Sequence, residues 1–233
     1  IMSANHEQVL QGPPHVHHMD STTAYHSAKL GMWLFLATEI LLFGGLFAAF
    51  ALFRYLHLEE FHHASKLLDW RLGGLNTLVL IFSSFLAAWA VDAAQHGDNA
   101  KVRKLFLGTI VCGVIFLIVK YFEYRSKFSH GLFPDVLNIF FFPDSLKAHA
   151  THVWGSPEFV KEYAQFFGLY YCMTMLHALH VILGMGLLTW GYLKARKNRF
   201  SAEYYTPIEI GALYWHLVDL IWIYLFPLLY LVG

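Results

Sequence analysis

Apolar and polar positions are not interleaved along this chain; they fall in blocks. Five stretches, at about 30–53, 72–94, 105–124, 166–193 and 208–232, are almost wholly apolar. Each is long enough to cross a hydrocarbon layer of ~30 Å at ~1.5 Å per helical residue. None alternates with the period of a membrane β-strand, and in lipid the backbone must satisfy its own hydrogen bonds. The pattern predicts an all-α integral membrane protein, a bundle of five transmembrane helices.

The polar intervals set the organisation. Residues 92–104 and 194–207 read as short connections, whereas 125–165 is a long loop between helices three and four and contains Pro134, Pro143 and Pro157. Its NIFFFP stretch is too short to span and is expected at the interface or packed on the bundle. Residues 1–28 read as a polar, His-rich tail and 29–233 as the membrane domain. The tail lacks the basic start and short apolar core of a secretory signal, so the first helix is expected to direct insertion. No internal repeat is visible.

Composition narrows the class further. The chain is 57% hydrophobic and only 14% charged, too few charges to cover a water-exposed surface of this size. Sixteen basic and sixteen acidic residues give zero net charge, which favours neither nucleic acid nor a polybasic lipid switch. Cys112 and Cys172 sit in apolar runs without CxxC spacing and read as inert thiols. No GxGxxG, P-loop or GxSxG motif occurs; LGGLNTL at 72–78 has the small residues of a helix-packing patch instead.

Basic residues near the helix ends favour the N-terminal side. Lys29, Lys101, Arg103, Lys104, Lys194, Arg196, Lys197 and Arg199 lie there, against Arg54, Lys66, Arg71, Arg125, Lys127 and Lys161 opposite. The positive-inside bias predicts a cytoplasmic N-terminus and a periplasmic C-terminus.

Ionisable groups at membrane depth are costly unless paired or hydrated, so each one is a candidate site. Glu39 stands about ten residues into the first helix with no basic residue within one turn. It reads either as a proton-exchanging group or as a neutral acid hydrogen-bonded to another helix. Gly44 and Gly45 follow it and permit close helix approach or a lipid-filled groove. Helix four carries His177 and His180, three apart; helix five carries His216 and Asp219, also three apart, with Trp215 and Trp222 on the Asp219 face. Counted along the helices, Glu39, His180, His216 and Asp219 fall close enough in depth to meet in one polar layer. His177 and His216 differ by more than ~10 Å in depth, a poor fit to a bis-histidine haem, and hydrogen-bonded packing histidines are the expectation. Lys120 and Glu123, or Glu123 and Lys127, are spaced for an ion pair, with Lys120 able to reach outward. His15, His17, His18, His26, His62 and His63 lack the spacing of a metal site and read as solvated.

Four stretches together resemble cytochrome c oxidase subunit III: KLGMWLFLATEILLFGGLFAAF at 29–50, LNTLVL at 75–80, HALHVILG at 177–184 and YWHLVDLIWIYLFPLLYLVG at 214–233, with FEY at 122–124 between them. The likeness covers residues 26–233 and is to the five-helix bacterial form, which lacks the first two helices of longer members. It implies an accessory subunit of a proton-pumping haem–copper terminal oxidase in a bacterial inner membrane. Haem and copper would then lie in partner subunits I and II, with no catalytic residue, metal or cofactor on this chain. It further implies bound phospholipids and support of proton uptake, and leaves open whether the complex joins a larger respiratory supercomplex. Glu39 matches the family's carbodiimide-reactive carboxylate; His177, His180, His216 and Asp219 match its polar membrane interior. Gly44, Gly45, Asn76, Trp215 and Trp222 are assigned to helix packing. Lys194 stands where the mitochondrial form has an arginine suited to lipid phosphate. A quinol oxidase subunit III would share these features, since other subunits read the electron donor. A small proton-coupled transporter is the other alternative, and would call for inverted repeats or broken helices; the sequence has neither.

Overall fold

The structure is a computed structural model that describes residues 21–129, 157–202 and 204–231. The tail histidines His15, His17 and His18 and the NIFFFP stretch lie outside the described residues. Among these residues six α-helices follow in order: α1 (Ser21–Leu56), α2 (Leu58–Ser65), α3 (Trp70–Gln95), α4 (Asn99–Ser129), α5 (Pro157–Arg196) and α6 (Thr206–Phe226). A π-helical turn, Pro227–Leu231, continues α6. Five of the helices are long and apolar enough to cross a membrane, and α2 is the exception. Apart from one isolated bridge between Ser201 and Tyr204, the described residues hold no β-structure.

The helix ends follow from local chemistry. Gly97, at φ +73°, closes α3: its amide bonds Ala94 O and the Asp98 amide bonds Ala93 O. Asn198, at φ +50°, closes α5 in the same way through Ala195 O and Lys194 O. Both are left-handed stops of the Schellman type, where glycine and asparagine meet the smallest steric penalty. Asp69 accepts the Arg71 amide at the start of α3, and Asp98 accepts the Lys101 amide at the start of α4, each satisfying a free first-turn donor. The connection between α3 and α4 is therefore only residues 96–98, shorter than the 92–104 expected from polarity. Helical hydrogen bonding continues through charged residues that end an apolar run. α1 likewise takes in residues 21–28, inside what reads as tail.

α2 was not anticipated. Its eight residues are mostly polar, but Phe61 and Ala64 are buried. The Phe61 ring meets Phe50 of α1 and Phe166 of α5 edge-on, each at 5.3 Å between centroids. This aromatic knot anchors α2 beneath the bundle.

α3, α4, α5 and α6 pack as a closed ring, each against two neighbours, and α1 lies outside it against α5 and α6. Small residues set the close approaches. A Cβ on Gly113 of α4 would stand 2.9 Å from Trp215 Cη2, and one on Gly184 of α5 would stand 2.9 Å from Trp215 Cε3. Gly73, in the LGGLNTL patch, receives the Phe226 ring at the same distance. Gly44 and Gly45, assigned to packing, meet no neighbouring helix among the described residues. Nothing among the described residues comes within 4 Å of a Cβ at either. They lie on the unpacked side of α1, where Leu41 is 74% exposed.

Candidate functional site

Two polar centres lie at membrane depth. In the first, Glu39 of α1 and His180 of α5 meet: Glu39 Oε2 lies 2.9 Å from His180 Nε2. The other ring nitrogen, Nδ1, lies 2.8 Å from the Leu176 carbonyl. A carbonyl only accepts, so Nδ1 carries a hydrogen. One further proton is then shared between the acid and Nε2. The pair is neutral overall, either as acid and imidazole or as carboxylate and imidazolium. Phe43, one turn beyond Glu39, packs edge-on against the imidazole at 5.3 Å. Of the two readings of Glu39, the geometry supplies the interhelical hydrogen bond, and the shared proton keeps exchange chemically available.

The second centre is built on Glu123 of α4. Lys120 Nζ bonds its Oε2 at 2.8 Å and Lys127 Nζ its Oε1 at 2.6 Å. Both anticipated pairings therefore form at once. Tyr230 and Tyr170 also donate to Oε1, at 2.6 and 3.0 Å, and Lys127 Nζ donates to Tyr170 Oη at 2.7 Å. Lys120 does not reach outward as expected: it is only 3% exposed, because hydrogen bonds to Glu123 and Tyr230 hold it inside. Its ammonium stands 4.7 Å over the Trp222 ring, a cation–π contact that supports a charge kept from water.

The remaining polar residues do not join into one layer. His216 Nδ1 lies 2.6 Å from Ser84 Oγ on α3, and no hydrogen bond links it to the Glu39 pair. Asp219 is buried, and neither carboxyl oxygen has a hydrogen-bond partner among the described residues. The Ser84 hydroxyl lies near the Asp219 carboxyl, but its hydrogen bond of good geometry goes to His216. His177 corrects the expectation of a hydrogen-bonded histidine. Neither ring nitrogen has a hydrogen-bond partner among the described residues, and the ring lies against Phe116 and Trp222, at 5.5 and 5.2 Å between centroids. Asn76 is likewise buried with its amide unpartnered. Trp215 and Trp222 are buried between helices, and each donates its indole N–H across to α3, to Ser83 at 3.0 Å and Thr77 at 3.1 Å. Lys194 is half-buried, its ammonium 3.8 Å over the Trp190 ring. Among the described residues no three His, Cys, Asp or Glu side chains converge on a metal position.

This order of polar motifs on five spanning helices can be set against known proteins. The family model described as cytochrome c oxidase subunit III matches residues 7–161 and 156–233. The chain belongs to the cytochrome c oxidase subunit III family. Curated subunits of that name from Thermostichus vulcanus and Corynebacterium diphtheriae are 32% and 30% identical to it. The first match covers 87% of this chain and 86% of the relative, the second 88% and 87%. A third relative, the heme-copper oxidase subunit I+III of Aeropyrum pernix, is 27% identical over 88% of this chain and 22% of its own length. Subunit III of a haem–copper oxidase is a multi-pass membrane protein held in a complex with other oxidase subunits, and the five spanning helices here agree with that.

Within this subunit III fold, sequence reasoning missed the residues that complete each centre from afar. Tyr170 and Tyr230 lie 47 and 107 positions from Glu123, and only the π-helical turn brings Tyr230 back over α4. At the opposite end, Lys29 Nζ and Glu209 Oε1 form a 2.8 Å ion pair between the starts of α1 and α6. Lys29 was read only as a topology charge.

Proposed function

We propose that this chain is the non-redox accessory subunit of a proton-pumping cytochrome c oxidase in a bacterial inner membrane. It sits against subunit I, with subunit II in the same complex; it steadies subunit I, holds phospholipid and supports proton uptake through Glu39. The Glu39–His180 pair carries this reading. An acid at membrane depth, held by an imidazole with one proton between them, is a group that can exchange protons without leaving a net charge in lipid. It lies beside the unpacked face of α1, open to a neighbouring subunit or to acyl chains.

Several observations agree. The Aeropyrum relative carries subunits I and III in one chain by its name, which fits subunit I as the neighbour. Among the described residues the spanning histidines are occupied by other contacts. His180 and His216 are engaged by Glu39 and Ser84, and His177 is walled by aromatic rings. This supports the reading that haem and copper are carried by the partner subunits. Lys194, carried over Trp190 at the end of α5, suits a phospholipid phosphate at the interface. The basic residues near that end favour the cytoplasmic side for it and for the N-terminus.

The test is to purify the tagged chain in mild detergent and compare wild type with Glu39→Gln. We expect co-purification with copper-bearing subunit II and a haem-bearing subunit I. The reduced-minus-oxidised haem spectrum should be unchanged by the substitution and proton uptake slowed. Loss of the haem bands in the variant would overturn the redox-silent assignment. Unchanged proton uptake would make Glu39 structural only.

A further inference from the structure

Four polar side chains follow one another on α5 at spacings of four, three and three: Tyr170, Thr174, His177 and His180. All are buried, and the spacing keeps them along one side of the helix. From residue 170 to residue 180 the helix climbs ~15 Å, about half the hydrocarbon thickness. The two ends of this stripe are the two polar centres. Tyr170 is bonded to Glu123 and Lys127, near the membrane end of α4, and His180 is bonded to Glu39. Between them, Thr174 accepts from Tyr124 Oη at 2.6 Å, and His177 lies within electrostatic reach of both Lys120 and His180.

His177 is the unexplained member. A fully buried imidazole with both nitrogens unpartnered is rare, because each orphaned polar atom costs about 1–3 kcal/mol. A packing role would be filled as well by phenylalanine. Two free nitrogens on opposite edges of one ring are what a proton relay needs, and bound water is the usual partner of such atoms.

We propose that this stripe is a proton-transfer route between the Lys120–Glu123–Lys127 cluster and the Glu39–His180 pair, with His177 and bound water as its midpoint. In each hop one O–H or N–H bond breaks and one forms. An ammonium of the cluster gives a proton to water; a ring nitrogen of His177 takes it, and the other nitrogen releases a proton through a second water. The pair then holds two transferable protons, as Glu39 acid and His180 imidazolium, and the amine left behind is reprotonated from the membrane end. Glu123, Tyr124, Tyr170 and Tyr230 face the cluster from α4, α5 and the π-helical turn, and Asp69 acts on Lys127 from the start of α3.

The proposal rests on Glu39 being proton-linked, but its test reads exchange at the pair and not turnover. The purified oxidase complex is moved from water to deuterium oxide, and infrared difference spectra against Glu39→Gln isolate the bands of the pair. His177→Phe should slow deuterium arrival by roughly tenfold or more, and Lys127→Met should slow it as well, with haem bands intact. If His177→Phe does not assemble, Thr174→Val, which keeps the side-chain shape, gives the same reading. Wild-type exchange rates in these variants would overturn the route and show that protons reach Glu39 from the open face of α1. Slowed exchange with unchanged turnover in Glu39→Gln would leave the route standing and remove its supposed purpose.

Discussion

The Trp215 indole fills the space that a side chain on Gly184 would need, its Cε3 only 2.9 Å from the Cβ position. Gly113 closes the other side of the same ring, so one tryptophan of α6 is clamped between the backbones of α4 and α5. Overpacking of this kind typically costs about 1–3 kcal/mol. Gly184→Ala is therefore expected to lower the unfolding free energy by that amount, measured by denaturant titration in detergent. Gly44→Ala, where no described atom lies within 4 Å, should stay within about 0.5 kcal/mol of wild type. Equal effects at the two sites would refute the clamp.

Glu123 is the only carboxylate bonded to the two buried lysines among the described residues. Glu123→Gln leaves two ammonium groups without their counter-charge, and breaking a buried pair in this way costs about 3–5 kcal/mol. Replacing all three charges together by Met, Leu and Met should recover most of that loss, because the desolvation penalty disappears with the charges. Thermal unfolding of the single and triple variants would decide. A triple variant less stable than Glu123→Gln would mean that the charges themselves hold the helices together.

Asp219 is buried, with no hydrogen-bond partner of good geometry among the described residues. Its amide isostere has the same shape and no charge to desolvate, so Asp219→Asn is expected to be neutral or to stabilise by about 1 kcal/mol. A loss above about 2 kcal/mol would mean that the folded protein gives this carboxyl a partner, in water or in a neighbouring subunit.

Lys29 and Glu209 are part-exposed, at 32% and 21% of the side-chain surface. Such a pair contributes about 0–1 kcal/mol and is screened by salt. Lys29→Glu should cost no more than that, and adding Glu209→Lys should restore it at low ionic strength. An undiminished effect in concentrated salt would place the pair in a drier setting than the fold suggests.

The five spans were legible in the chain because span length and apolarity are local. A run of about 20 apolar residues must be helical in lipid whatever it packs against. The stops at Gly97 and Asn198 are local in the same sense. The choice of partner for each polar group was not local. Glu39 and His180 are 141 positions apart, and Tyr230 reaches Glu123 across 107. Both pairings depend on how the helices are rotated about their axes. Hydropathy does not set that rotation, since a helix apolar all round has no stripe to aim. The tertiary structure sets it through close packing. The small surfaces of Gly73, Gly113 and Gly184 admit the rings of Phe226 and Trp215, and that fit turns His177, His180 and the lysines to the faces they occupy. The sequence alone determined that polar residues would stand at membrane depth. Only the packed bundle decided which of them share a proton, which share charges, and which stand without a partner.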